Sequence, residues 1–143
     1  MAVADRLSYA NAAIAEAVIM AGHILGRGHL LRNGLRTLDW LLAGETRHGH
    51  PSVVPAGGRG RGEDRRAFDQ YPAEVAALVD SRARAAAVMG DSTWLTGVEM
   101  SVTWLLGEND ARVPMLDERT GGTAMPSAVS AAAATRTRRR RWR

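Results

Sequence analysis

The sequence predicts an all-α protein built from two antiparallel helical hairpins. Three observations carry this. Apolar residues recur at spacings of three and four in four separate stretches. Short glycine-containing breaks join those stretches in pairs. The two pairs also repeat: shifted by 64 without a gap, Ala12-Ala13-Ile14 lies on Ala76-Ala77-Leu78, and Glu16 on Asp80. Leu25-Gly26 then lies on Met89-Gly90, and Trp40-Leu41-Leu42 on Trp104-Leu105-Leu106. Any two amphipathic helices share some apolar positions, but the matched glycine and Trp-Leu-Leu triplet favour a true repeat. Repeated hairpins stack to bury faces that one hairpin leaves open.

The elements follow in order. Asp5 and Ser8 are candidate N-caps, because their side-chain oxygens can take free N–H groups of a first turn. The first helix is expected from about Tyr9 to Leu25, with Ala10, Ala13, Ile14, Ala17, Val18, Ala21 and Leu25 as its apolar face. Gly26 and Gly28 break it. The second is expected from His29 to Ala43, with a stripe of Leu31, Leu35, Leu38 and Leu42 widened by Trp40 and Leu41. Glu45 to Arg66 reads as a long loop, rich in glycine and holding Pro51 and Pro55. A third helix starts at Pro72, whose missing N–H costs nothing in a first turn, with Asp69 as its cap. It carries Val75, Leu78, Val79, Ala86 and Met89, and Gly90-Asp91 ends it. The fourth is expected from Ser92 to Leu106, with Leu95, Val98, Val102 and Leu105 on one face and Trp94 and Trp104 as anchors.

In domain terms, residues 1–122 form one unit: a hairpin at 8–45, a loop at 46–68, a hairpin at 69–107 and a loop at 108–122. Residues 123–143 lose all apolar period and end in Arg138-Arg139-Arg140-Arg141-Trp142-Arg143, so a disordered arginine-rich tail is expected.

Charge narrows the partners. The 143 residues carry a formal net charge of +4. Residues 1–121 hold thirteen Arg against fifteen acids, a balance of −2, so the basicity belongs to the tail. The uniformly basic surface of a nucleic-acid binder is absent. A nucleic-acid role would rest on phosphate contacts and Trp142 stacking in the tail. No cysteine is present, which excludes disulfides and thiolate chemistry. No stretch approaches the ~20 apolar residues of a membrane span, and no secretory signal is evident. A cytoplasmic location without a membrane partner is the expectation.

Several motifs in order then resemble a known family. These are Phe68-Asp69-Gln70 followed by Pro72 and an Ala-rich helix, Gly90-Asp91-x-x-Trp94-Leu95 and Trp104-Leu105-Leu106-Gly107-x-Asn109-Asp110. Pro114-Met115-x-Asp117-x-x-Thr120-Gly121-Gly122 completes the set. Together they look like the C-terminal six-hairpin α/α toroid domain of actinobacterial-type glycosyltransferases, related in fold to six-hairpin glycosidases. The likeness covers about residues 5–122. It implies a partial α/α toroid, a saccharide or glycan as partner, and loops at 45–70 and 107–122 lining one mouth of the toroid.

The chain departs from the family in two places. Tyr71 stands where the family has Gln. After Gly121-Gly122 the family's Asn-x-Asn-Gln-Gly-Ala-Glu-Ser stretch and final helix are replaced. Thr135-Arg136-Thr137-Arg138 is what a one-nucleotide shift of such a stretch would encode. The expectation is therefore a truncated, frameshifted fragment, glycan-binding or glycan-processing in the intact parent and inactive alone. The other readings are a non-enzymatic helical interaction module, self-associating through exposed helix faces, and nucleic-acid binding by the tail.

Glycoside chemistry needs two carboxylates. Asp69 and Asp110 are the catalytic candidates, and no pair is assigned. Asp69, Gln70, Tyr71, Asn109 and Asp110 are the candidate substrate-binding residues. For Asp69, helix capping is the preferred reading. Asn109 and Asp110 read as turn residues ahead of site residues, with Asp110 the better functional candidate of the two, and Glu74 and Asp117 read as solvated or structural. Trp40 and Trp104 read as packing residues rather than sugar platforms. His48-x-His50 lacks a third metal ligand. Gly57-Gly58-Arg59-Gly60-Arg61-Gly62 lacks the Lys and the preceding strand of a nucleotide-binding loop. No cofactor or metal is expected.

Overall fold

A computed structural model of the protein describes residues 6–8, 10–55, 57–60, 62–63 and 69–123. The expected tail, the candidate cap Asp5, and Tyr9 and Phe68 lie outside the described residues, apart from Thr123. The chain is mostly helical, with two small antiparallel strand pairs. Its elements are β1 (Arg6–Leu7), α1 (Asn11–Ile24), α2 (Gly28–Gly44), β2 (Thr46–Arg47), β3 (His50–Pro51), β4 (Arg59–Gly60), α3 (Pro72–Met89), a 3-10 helix (Ser92–Gly97) and α4 (Val98–Leu105).

The first hairpin forms where the glycine break predicts, but α1 turns a different face inward. Ala12, Ala15, Ile19 and Gly22 are buried, whereas Ala13, Ile14, Ala17 and Leu25 of the predicted face are exposed. Backbone proximity explains the choice. A Cβ on Gly22 would stand 2.3 Å from the Leu31 nitrogen, and one on Gly34 would stand 2.8 Å from the Ile19 nitrogen. At each of these two approaches a glycine of one helix lies against the backbone of the other, and those contacts dictate which face of α1 is covered. α2 follows the predicted stripe, with Leu38 and Leu41 buried and Leu31, Leu35 and Leu42 packed on the core. Trp40 departs from it and is 62% exposed, whereas its repeat partner Trp104 is fully buried.

The third helix spans Pro72–Met89 as predicted and ends at Gly90, whose φ of 65° suits the left-handed cap. It lies against α1, and the two helices run in the same direction. Glu74, Ser81 and Arg84 meet Ala10, Ala12 and Glu16 in that order. The buried face of α3 includes Glu74 and Ser81, two polar residues that hydrophobic spacing passes over. Ser81 donates to the carbonyls of Ala12 and Ala77. Asp69 does not cap α3. Tyr71 occupies the N-cap position, with no side-chain capping bond, and Asp69 sits before it at φ 64°.

Glu74 instead serves the neighbouring helix, whose start has no side-chain cap of its own. Its carboxylate accepts from the backbone N–H groups of Ala10 and Asn11. Ser8 is occupied differently, paired with the Asn11 side chain. Burial pushes the Glu74 carboxyl above the usual range, and the two backbone hydrogen bonds only partly offset this. A raised folded value gives stability that is complete below the ordinary pKa and declines as pH climbs through the raised one. Glu74→Gln keeps an acceptor and removes the charge. We expect its denaturant midpoint to stay level from pH 4 to 7 while that of the parent falls. The two pH profiles should therefore diverge between pH 4 and 7, with the parent losing stability relative to the variant.

The fourth helix is divided. Asp91 accepts from the backbone and hydroxyl of Thr93, and Thr96 donates to the Thr93 carbonyl. These side chains compete with α-helical pairing, so residues 92–97 wind as a 3-10 helix before α4 begins. Leu95 and Val102 of the predicted stripe are exposed, and the buried positions are Gly97, Ser101 and Trp104.

The largest departure lies in the long loop. β2 and β3 pair through a two-residue turn, His48-Gly49, with φ values of 51° and 80°, the type I′ geometry of tight hairpins. Pro51, Ser52, Val53, Val54 and Pro55 are then all buried, and Val53 belongs to the main core. β4 pairs with β1, and Pro55 bridges Gln70. Much of the segment read as loop therefore packs as part of the core.

Candidate functional site

Asp110 is the centre of a polar cluster drawn from three parts of the chain. Its Oδ1 accepts from His50 Nε2 at 2.9 Å. Its Oδ2 accepts from Ser52 Oγ at 2.6 Å and from Gln70 Nε2 at 2.9 Å. Side-chain exposure is 9% for Asp110 and 18% for His50, so the carboxylate is held within the protein while the ring reaches its edge. Ser52 and Gln70 are buried behind it.

Each partner is placed by local structure. The His48-Gly49 turn sends the chain back along β3. In an extended strand alternate residues share a side, so His50 and Ser52 both reach Asp110. Ser52 is fixed by its own N–H donating to the Glu45 carbonyl at the end of α2. The bridge to Pro55 sets Gln70. Asn109 braces the turn after α4. Its Nδ2 donates to the carbonyls of Trp104 and Val113, and its Oδ1 accepts from the Val113 N–H. Those bonds commit the Asn109 amide to the loop and present Asp110 to the cluster.

The electrostatics follow from this geometry. Burial alone would raise the Asp110 carboxyl. The hydrogen bonds from Ser52, His50 and Gln70, with the charge of His50, outweigh it and hold the group below the usual carboxylate range. Asp110 is therefore an ionised acceptor at neutral pH. Because a carboxylate only accepts, His50 Nε2 carries the hydrogen of this bond.

A cleft of about 630 Å³ opens beside the cluster, lined by His48, His50, Gly107, Glu108, Asn109, Asp110 and Arg112. Four non-glycine residues among the described ones have left-handed backbones, and three of them flank this cluster: His48, Asp69 and Arg112. Each such conformation costs on the order of 1 kcal/mol and persists only where surrounding structure enforces it.

The candidate residues named from sequence divide accordingly. Asp110 is central and Gln70 is its direct partner. Asn109 lines the cleft with its side chain engaged. Asp69 and Tyr71 adjoin Gln70 in sequence but lie outside the cleft lining. Asp117 is exposed and organises its own turn through Arg119 and Thr120, whose hydrogen bonds lower its pKa. Sequence pattern gives Ser52 no distinction and offers His50 only as a metal ligand. The signal available was the i, i+2 spacing of His50 and Ser52 after a His-Gly turn. Among the described residues no group of three or more His, Asp or Glu side chains gathers to hold a metal ion. Among the described residues no helix is long and apolar enough to cross a membrane. No family model, curated protein or solved structure matches the chain.

Proposed function

We propose that the cleft beside Asp110 binds a saccharide or glycan, and that the chain is part of a carbohydrate-active helical domain of the kind that accompanies glycosyltransferases. One observation carries the reading: a carboxylate held ionised by three side chains, in the wall of a polar cleft where the 45–70 and 107–122 segments converge. Sugar hydroxyls are recognised by fixed planar acceptors and donors. Asp110, Glu108, His50 and Arg112 supply both kinds within one cleft. The parallel packing of α1 on α3 also suits a domain that stacks hairpins side by side.

The low pKa of Asp110 fits an acceptor, base or nucleophile and opposes a role as general acid. Glycoside cleavage would need a second carboxyl group as acid, and Glu108 is the other carboxylate lining the cleft. Binding is the activity proposed for this chain, and turnover belongs to an intact parent domain.

The test is calorimetric titration with a panel of oligosaccharides. Glu108 is an exposed rim residue, so Glu108→Gln should leave the fold intact and weaken binding about tenfold, the effect of losing one hydrogen bond to a ligand. A parent chain that gives no heat with any member of the panel at millimolar concentration would count decisively against the reading.

A further inference from the structure

The fold leaves two apolar surfaces open, one a stripe on a helix and one a groove between helices. The first lies on α1: Ala13, Ile14 and Ala17 are exposed, with Ile14 at 65%, and Ala21 is half-buried beside them. The second lines a groove of about 250 Å³ between α3 and α4, walled by Pro72, Val75, Ala76, Val79, Val98 and Val102. Val102 is 52% exposed there.

The internal repeat shows how such surfaces fit. Inside the chain, α3 covers α1 with the face bearing Glu74, Ala77, Leu78, Ser81 and Ala85. Moved back by 64, that face is Ala10, Ala13, Ile14, Ala17 and Ala21, the exposed stripe of α1. The α1 residues that meet α3 include Ala12 and Glu16. Moved forward by 64, these are Ala76 and Asp80, which line the α3–α4 groove. One chain thus carries both halves of an interface it has already made once internally.

We propose that the α1 stripe of one copy docks in the α3–α4 groove of a second copy, repeating the α1–α3 packing between molecules. The occupant is a second copy of this chain because its α1 face repeats the α3 face of the internal contact, with Ile14 at the position of Leu78. The contact is head-to-tail, so each copy uses a different surface and association extends beyond a dimer. Exposed apolar patches of this kind on a small protein mark such contacts.

The experiment uses two variants of the full chain, Ile14→Asp and Val102→Asp. Both sites are exposed, so both variants should keep the parent's circular dichroism spectrum. Analytical ultracentrifugation at tens of micromolar should show concentration-dependent species larger than a dimer for the parent and monomers for each variant alone. Mixed in equal amounts, the variants should form a 1:1 dimer that does not grow, since each retains the half that the other has lost. A monomeric parent would overturn the proposal and leave these faces to a different partner. Variants that associate as the parent does, or a mixture that stays monomeric while the parent assembles, would overturn it equally.

Discussion

Asp110→Ala should lower the stability of the protein by about 3 kcal/mol and abolish saccharide binding. The substitution removes one acceptor group and strands three donors. Ser52 Oγ and Gln70 Nε2 are buried and lose their Oδ2 partner, and His50 Nε2 loses Oδ1. A buried donor left unsatisfied costs about 1–3 kcal/mol, and water entering from the cleft recovers part of the sum. For a chain of this size the melting temperature should fall by about 10 °C.

Asp110→Asn separates charge from shape. Asn offers one oxygen where three donors converge, and its amide N–H groups face Ser52 or His50. It should therefore recover only part of the loss. The pH profile supplies an independent signature. The folded pKa of Asp110 is depressed, so its stabilisation is complete above the ordinary carboxylate value. It is lost as pH falls through the folded one. Parent stability should drop on acidification below about pH 4, and that drop should be shallower in Asp110→Ala. An alanine variant as stable and as acid-sensitive as the parent would show that the cluster contributes nothing to the fold.

The cluster shows where sequence reading reaches its limit. Helical periodicity located all four helices, and Pro72 and Gly90 fixed the ends of α3, because those signals are local. The site is not local: His50, Ser52 and Gln70 lie 60, 58 and 40 residues from Asp110. Gln70 and Asp110 stood out through their motifs. Ser52 did not, because a serine between two prolines reads as loop. The composition of residues 45–66 suggested a loop, yet Val53 and Val54 lie in the interior. The hairpin turn that drives the chain inward rests on a single His-Gly pair.

Which face a helix buries was less legible than where it lies. α1 is apolar nearly all round, so its stripe could not say which side meets α2. The choice belongs to Gly22 and Gly34, which read as ordinary helix interiors and are the crossing point of the hairpin. The helix breaks at Gly26 and Gly28 drew attention because they interrupt a pattern, whereas Gly22 and Gly34 interrupt none.

That contrast yields the second large prediction. Gly22→Ala should destabilise the protein by about 2–3 kcal/mol, although alanine is the better helix former by about 1 kcal/mol. The new methyl would stand 2.3 Å from the Leu31 nitrogen and 2.7 Å from its Cα. Both are backbone atoms, so no side chain can swing aside and the two helices must separate. Overpacking of this kind costs about 1–3 kcal/mol and more where backbone blocks relaxation. The helix-propensity gain offsets only part of it.

Gly34→Ala should behave alike, since its methyl would meet the Ile19 nitrogen and Cγ1, each at 2.8 Å. Gly28→Ala is the control. Its methyl would meet only the mobile end of Arg32, so it should be neutral or stabilise by up to about 1 kcal/mol. Urea midpoints measured on the three variants check the order. If Gly22→Ala proved as stable as Gly28→Ala, α1 and α2 would not cross at these glycines. The exposure of the Ile14 stripe, which follows from that crossing, would then need a different cause.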